Sequence, residues 1–344
     1  MDVRWGFVGG GNVTEWKASP QGAFTHERSQ VVAVTRTSLA RGQEYAEANG
    51  IARAYATIDE LCADPDVDAV FVCTPHHLHK EHVLAAIRAG KHVLCEKPLT
   101  ITTEDGAELV AAAAQAGVVL AVAYYRRFYP VLEALQEIVA SGRLGTVTSA
   151  QMVCRSWSIP PQPAAGTVPD RGWRVRLDEA GGGALTDVGS HRLDLLFWLL
   201  GDAQRVTANV QRVATWVETE DQAHVSIQFG GQGGGQVVGT LDQSFCSRTY
   251  RDAIALFGTE GIATVPDLEG TRLVLEIGKG VETIETAPRS ASTHRPLVAD
   301  FVRVLNDGGT VRCTGADALR TTQLIELAYQ SSRERRTIDV PALG

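Results

Sequence analysis

The sequence predicts an α/β protein in two parts: an N-terminal Rossmann-type, doubly wound parallel sheet over residues 1–125, and a C-terminal α/β domain over 126–344 with a large, mostly antiparallel open sheet. Three observations predict it. Short apolar runs alternate with helical stretches through the first third of the chain, a glycine turn follows the first run, and later runs carry strand patterning with glycine turns between them. Length agrees, because 344 residues exceed one compact core when domains cluster near ~100–150 residues.

The apolar runs VRWGFVG (3–9), VVAVT (31–35), AVFVCT (69–74), HVLCE (92–96) and VVLAVAY (118–124) are nearly continuous, as parallel strands covered on both faces require. Between them, RGQEYAEANG (41–50), IDELCAD (58–64), KEHVLAAIRAG (80–90) and TEDGAELVAAAAQAG (103–117) have helical spacing. Three of these end at a glycine, where a C-terminal cap belongs. The run 109–125 approaches the ~20 residues that span a bilayer, but Gln115 and Gly117 divide it into a helix end and a strand, so no membrane span is expected. Farther on, segments 148–156, 205–215, 223–230, 235–245, 252–258 and 272–277 read as strands, and 296–308 and 315–334 as helices whose apolar faces need a partner surface.

Composition narrows the function classes. Hydrophobic residues at 44% and charged residues at 21% match a folded globular chain and not a disordered one. A net charge of −8 argues against a large cationic face, so no nucleic-acid partner is expected. Six cysteines without a CxxC spacing, several in apolar runs such as VFVCTP, and an N-terminus without an export pattern point to a reducing, cytoplasmic location. Glycine is in excess, 34 of 344, with clusters at 9–11, 181–183 and 230–235. The third cluster reads as a hairpin loop.

The first apolar run opens into Gly9-Gly10-Gly11-Asn12-Val13-Thr14. On the first strand of a βαβ series, such a turn seats a cofactor pyrophosphate. Glycine permits backbone angles and close approach that a side chain blocks, and the helix start offers free N–H groups. Matching G-x-G-x-x-G to Gly9 and Gly11 leaves Thr14 in the third place, an imperfect fingerprint. The second run ends in Val34-Thr35-Arg36-Thr37-Ser38, with Arg41 close behind. A site preferring NAD offers Asp or Glu there, whereas an arginine among hydroxyls suits the additional phosphate of NADP. NADP is the preferred cofactor on this reading, with NAD second. Between these two features the unusual segment 12–20 is expected to interrupt the first helix at Pro20; ordinary packing is the favoured reading of Trp16 and Lys17, with a place near the cofactor phosphates as the alternative.

The stretch DPDVDAVFVCTPHHLHKEHVLAAIRAGKHVLCEKPLT (64–100), with YYRRFYP (124–130) and AGGGALTDVGSHRLDLLFWLLG (180–201), closely resembles the Gfo/Idh/MocA family of NAD(P)-dependent oxidoreductases. The resemblance spans most of the chain, and the pairing of EKP with DVGSH is its specific part. It implies a second domain whose open sheet packs against a neighbouring subunit, in a homodimer or homotetramer, and a sugar or polyol substrate. It further implies Lys97 beside nicotinamide and substrate oxygen, His191 as acid/base and Asp187 assisting at the substrate. Thr74, Pro75, His76, His79 and Glu96 would line the cofactor, and Trp173-Arg174 would border the substrate.

These residue types suit the chemistry. Moving hydride to or from a secondary alcohol requires a group that takes or returns the hydroxyl proton, and a histidine of pKa near ~6.5 does so at cellular pH. Asp187 and His191, four apart, share a face of a helical turn, although Asp187 also suits a helix cap. The fixed charge of Lys97 polarises a carbonyl or steadies an alkoxide. Trp173 and Arg174 pair a rigid aromatic with a forked donor, a sensible lining for a polyhydroxylated ligand. Tyr125 stands where many members have Asn, and its phenol is an alternative proton donor. The histidines at 76, 77, 79 and 82 are not read as a metal site, because no cysteine or acidic set completes a tetrahedron and Glu81 points away from His79.

The expected function is therefore an NADP-preferring oxidoreductase acting on a secondary alcohol or ketone of a sugar, inositol or related cyclic polyol. Two alternatives stand beside it, an NAD-dependent glycosidase working by transient oxidation and elimination, and a non-catalytic NADP-sensing protein. The last would lack the Lys or His that this chain retains.

Overall fold

The computed structural model describes residues 2–162, 172–230 and 236–343, without the side chains of Asn12 and Trp16. The chain divides into two compact units, Met1–Tyr125 with Ser290–Leu319, and Arg126–Arg289 with Arg320–Gly344.

In the first unit, strands β1 (Val3–Gly9), β2 (Ser29–Thr35), β3 (Arg53–Tyr55), β4 (Ala69–Cys73), β5 (His92–Cys95) and β6 (Leu120–Val122) form one sheet in the order β3-β2-β1-β4-β5-β6. Every pair in it is parallel, and β4 is buried along its whole length, which is why it carries AVFVC without a polar residue. The helices are α1 (Asn12–Trp16), α2 (Leu39–Asn49), α3 (Ile58–Ala63), α4 (His79–Arg88) and α5 (Thr103–Ala116). Ser38, Thr57 and Thr102 cap the starts of α2, α3 and α5, and left-handed Gly50 and Gly117 close α2 and α5. Contrary to expectation, α1 ends at Trp16 and not at Pro20. The chain becomes extended at Ser19, whose side chain accepts the Gly22 N–H, and Pro20 then starts a separate wide turn, Pro20–Phe24, in a first position that tolerates its fixed φ.

The second unit contains β7 (Val147–Trp157), β8 (Ala203–Gln211), β9 (Gln222–Gly230), β10 (Gln236–Ser244), β11 (Cys246–Gly258), β12 (Gly261–Val265), β13 (Arg272–Ile277), β14 (Gly280–Glu285) and β15 (Ile338–Asp339). Their order is β14-β13-β12-β11-β7-β10-β9-β8-β15, antiparallel except between β10 and β7. Helices α6 (Pro130–Ala140), α7 (Leu177–Ala180) and α8 (Ser190–Leu200) belong to this unit. β9 and β10 pair with Gly230 opposite Gln236, and the rest of the third glycine cluster lies outside the described residues.

The sequence reading assigns all of 126–344 to the second part, but residues 290–319 belong to the first unit. The physical reason lies in α9 (Arg295–Asp307), which buries Leu297, Val298, Phe301, Val302 and Val304. Phe301 packs against Trp5 of β1 with ring centroids 5.0 Å apart, and Thr314 bridges to Ala121 of β6. Helical spacing reveals that α9 needs a partner surface without revealing which one. The last helix, α10 (Gly315–Glu334), starts in the first unit and continues into the second.

Candidate active site

The glycine turn closes β1. Gly9 has φ 100°, and a Cβ there would sit 2.9 Å from the Cys73 carbonyl oxygen, so only glycine fits. Gly10 has φ 144°, while Gly11 faces open space with nothing within 4 Å of its would-be Cβ and precedes α1 as its cap, with Val13 half-buried in the first turn. Thr14, in the place of the third fingerprint glycine, is buried and donates its hydroxyl to the Gly11 carbonyl at 2.9 Å, closing the turn by a hydrogen bond. Arg36 reaches the same place. Its Nε would lie 3.2 Å from a Cβ on Gly10, and its guanidinium sits 5.0 Å from the Tyr45 ring centre. Thr35 is buried at the end of β2, Thr37 and Arg41 are exposed, and positions 35–41 hold no acid. Open backbone beside a guanidinium fits a dinucleotide phosphate.

At the end of β4, the Thr74 hydroxyl is 3.0 Å from His82 Nδ1, and Pro75 leads into the short turn His76–Leu78. His76 is buried 5.7 Å, ring to ring, from His79. His79 is fully enclosed, with Nε2 3.0 Å from the Thr74 carbonyl oxygen and Nδ1 2.8 Å from that of Pro98. Burial pushes its pKa down. The ring is thus wedged between the β4 turn and the Lys97-Pro98 loop, and in its neutral form it donates to one of the two carbonyls. Glu96 is also buried. Its Oε1 accepts a 2.7 Å bond from His294 Nε2, and its Oε2 accepts the Lys97 N–H at 3.2 Å. Burial would raise its pKa, but His294 and Lys97 outweigh that and hold the carboxyl at about 2. Tyr125 is buried with its ring 4.8 Å from that of His294, and its hydroxyl accepts a 3.3 Å bond from Lys17 Nζ.

In the second unit, the middle glycine cluster is demanded by close neighbours. A Cβ on Gly182 would lie 2.1 Å from the Tyr329 hydroxyl oxygen, and one on Gly183 1.9 Å from the Glu220 carbonyl oxygen. The Glu220 carboxylate accepts the N–H groups of Gly183 at 2.6 Å and Leu185 at 2.8 Å. Burial pushes its pKa up to about 7 despite those bonds. The anchored turn leads into a wide helical turn, Leu185–Gly189, and then α8. Asp187 lies inside that turn, its N–H bonded to the Gly183 carbonyl at 2.8 Å, so it is not the helix cap. Arg174 Nε is 3.9 Å from Asp187 Oδ2 and its guanidinium stacks 4.5 Å from the centre of the Trp173 ring. His191 is buried in the first turn of α8, which is pinned by ion pairs from Arg192 to Asp252 of β11 and from Arg127 to Asp194, the latter at 2.6 Å. Trp173, Arg174 and Asp187 therefore come together in this unit, while the glycine turn, Arg36, Glu96, Lys97 and Tyr125 belong to the first.

Sequence reasoning misses His294, Glu220 and Tyr329. His294 stands 198 residues from Glu96, and no local pattern links them. Glu220 sits in the acidic run VETED, which reads as a solvated turn. Among the described residues, no group of three or more His, Cys, Asp or Glu is arranged to hold a metal ion, and no helix is long and apolar enough to cross a membrane.

A doubly wound sheet with a glycine turn on its first strand, joined to a second unit that carries the DVGSH turn, defines an NAD(P)-dependent oxidoreductase. The chain belongs to the Gfo/Idh/MocA family: residues 3–124 match the oxidoreductase family with NAD-binding Rossmann fold, and residues 132–264 match the Gfo/Idh/MocA C-terminal domain. It is 33% identical to 1,5-anhydro-D-fructose reductase of Ensifer adhaerens, over 92% of each chain. It is 30% identical to the NADP-linked scyllo-inositol 2-dehydrogenase of Bacillus subtilis, over 82% of this chain and 81% of that one. Its fold matches the aldose-aldose oxidoreductase of Caulobacter crescentus with a TM-score of 0.86 at 24% identity, covering 98% of this chain and all of that one (100%).

Proposed function

We propose that this chain is an NADP-preferring dehydrogenase or reductase acting on a secondary alcohol or ketone of a sugar, inositol or related cyclic polyol. The observation that carries the reading is Asp187 beside the Trp173-stacked Arg174, on the turn that leads into His191. The names of the relatives, a reductase of an anhydro sugar and a dehydrogenase of an inositol, support the substrate class. The cofactor nicotinamide supplies the hydride acceptor or donor.

The protein handles the proton and the oxygen. In oxidation, the His191 imidazole takes the hydroxyl proton, and in reduction it returns it. Lys97 offers a fixed ammonium to the substrate oxygen as negative charge grows there. Asp187 holds the substrate hydroxyls with Arg174, and the Trp173 face covers the apolar side of the ring. Arg36, with Thr35, Thr37 and Arg41 around it, favours the additional phosphate of NADP over NAD. Gly9, Gly10, Gly11, Asn12 and Val13 would take the pyrophosphate, and Thr74, Pro75, His76, His79 and Glu96 would shape the nicotinamide side. Six cysteines without a CxxC spacing, most of them buried, support a cytoplasmic location, and the open nine-stranded sheet, on which Thr207, Asn209, His224, Ser226 and Thr240 are exposed, is the surface we assign to assembly as a homodimer or homotetramer.

Incubating the purified protein with oxidised or reduced NADP and NAD and a panel of sugars, cyclitols and their ketones, while following the absorbance of the reduced cofactor, tests this. Turnover with a polyol or its ketone, faster with NADP, is expected; no turnover in either direction overturns the reading. Cofactor that remains bound through purification and is not consumed would instead mark the glycosidase chemistry.

A further inference from the structure

We infer that His294 is a positioning residue of the cofactor-side loops, orienting Glu96, and through it Lys97, while its own segment holds the chain just past the glycine turn. Every contact lies within the first unit. His294 has no exposed surface, and its Nε2 donates to Glu96 Oε1 at 2.7 Å. The second oxygen of Glu96 receives the Lys97 N–H at 3.2 Å, so the carboxylate joins an imidazole to the backbone of the residue proposed to face the substrate. The same short segment also reaches the other loop. Ser292 donates its hydroxyl to the Lys17 carbonyl at 2.9 Å, and the His294 N–H points to the same oxygen at 3.3 Å. Lys17 follows directly on α1, and its ammonium ends on the Tyr125 hydroxyl, whose ring packs on His294.

The energetics favour a real constraint. A buried carboxylate deprived of its charge-assisted partner loses far more than a solvated one, so Glu96 keeps its orientation only while a donor faces it. A displacement of about 1 Å at a group touching the substrate suffices to cost about 10²-fold in rate, so an error at Glu96 would be felt at Lys97. The inference rests on the proposed function only for the kinetic readout, since the backbone contacts exist without substrate.

Two substitutions separate orientation from packing. His294→Phe keeps an aromatic ring between Tyr125 and Phe71 but has no donor, and His294→Gln restores an N–H toward Glu96. Three quantities are measured: amide hydrogen exchange of peptides covering 94–100 and 12–18 in the cofactor-free protein, affinity for NADPH and NADH by their fluorescence, and kcat and KM on the best substrate. His294→Phe is expected to speed exchange at 94–100 and to lower kcat/KM about 10–100-fold, with His294→Gln recovering most of both, while Ser292→Ala, which removes a donor to the Lys17 carbonyl, is expected to speed exchange at 12–18. Wild-type exchange at 94–100 in His294→Phe or at 12–18 in Ser292→Ala, or an equal loss in the glutamine variant, overturns the inference. If wild type turns over no substrate, the functional proposal fails and the exchange measurement still decides this one. If His294→Phe does not fold, Glu96→Gln is read in its place. Faster exchange at 94–100 then supports the brace, and unchanged exchange there overturns it.

Discussion

His191, Arg36 and Glu220 each have a distinct expected signature. Replacing His191 by Asn keeps a polar side chain of similar reach but cannot carry the proton, so kcat should fall by roughly 10²–10⁴-fold, with cofactor affinity unchanged by fluorescence titration. An unaltered kcat would transfer the role to another donor such as Tyr125. Arg36→Ala removes charge-assisted bonds worth about 1.5–3 kcal/mol each, so the ratio of kcat/KM for NADP over NAD should drop roughly 10–100-fold, with the NAD value little changed. Equal losses with both cofactors would show that Arg36 serves the shared pyrophosphate and not the additional phosphate. Glu220 makes a prediction about pH. Burial penalises the charge of its carboxyl and pushes its pKa up to about 7 in the folded chain against an ordinary 4.5. The folded state then binds the proton more tightly than the unfolded one, so this group's contribution to stability is complete below pH 4.5 and is lost as pH rises through 7. Glu220→Gln has no such titration. In urea unfolding from pH 4.5 to pH 8, the variant should gain on wild type as pH rises, and a pH-independent difference would reject the assignment.

At the scale of elements, two glycines that look alike in sequence should behave oppositely. Gly11→Ala meets nothing within 4 Å and has φ −100°, so stability should change by no more than about 0.5 kcal/mol, while NADPH affinity falls because the methyl enters the open space beside the turn. Gly183→Ala would press its Cβ to 1.9 Å from the Glu220 carbonyl, so Tm should fall and kcat with it, through the turn that carries Asp187. Comparing Tm and NADPH titration for the pair tests both. The legibility of the elements follows the same physics. Strand β4 was readable because burial on both faces demands a continuous apolar run, and the glycine turn because Gly9 and Gly10 hold backbone angles other residues avoid. β14, with its residues open to solvent apart from half-buried Ile284, and three-residue β3 carry no such pressure and pass unread. Helix α6 is a different case, since Val131, Leu132, Leu135 and Ile138 follow helical spacing and mark a helix in the sequence itself. The site residues Lys97, Asp187 and His191 rest on the resemblance carried by EKP and DVGSH, whereas Glu96 with His294 and the Gly183 turn with Glu220 are joined only by folding.

At the scale of the whole molecule, the first unit is not a contiguous stretch of chain, and its core shows why. Trp5, Phe7, Phe24 and Phe71 form one aromatic cluster under the sheet, and Phe301 of the returning α9 is the neighbour that covers Trp5. Phe301→Ala should therefore cost about 3–5 kcal/mol in urea unfolding, as for a fully buried aromatic. A stronger test separates the pieces. Residues 1–125 alone leave the Trp5 surface bare and Glu96 without His294, and are expected to bind a hydrophobic dye and unfold without a sharp transition. Joining 1–125 through a Gly/Ser linker to 290–319 should restore cooperative unfolding. Because the glycine turn, Arg36, Glu96, Lys97 and His294 all lie in this unit, the joined fragment should also bind NADPH. It should catalyse nothing, since Asp187 and His191 belong to the other unit. Cooperative unfolding and NADPH binding by 1–125 alone would show that the return segment is an accessory, and would remove the reason for the chain to cross back before its last helix.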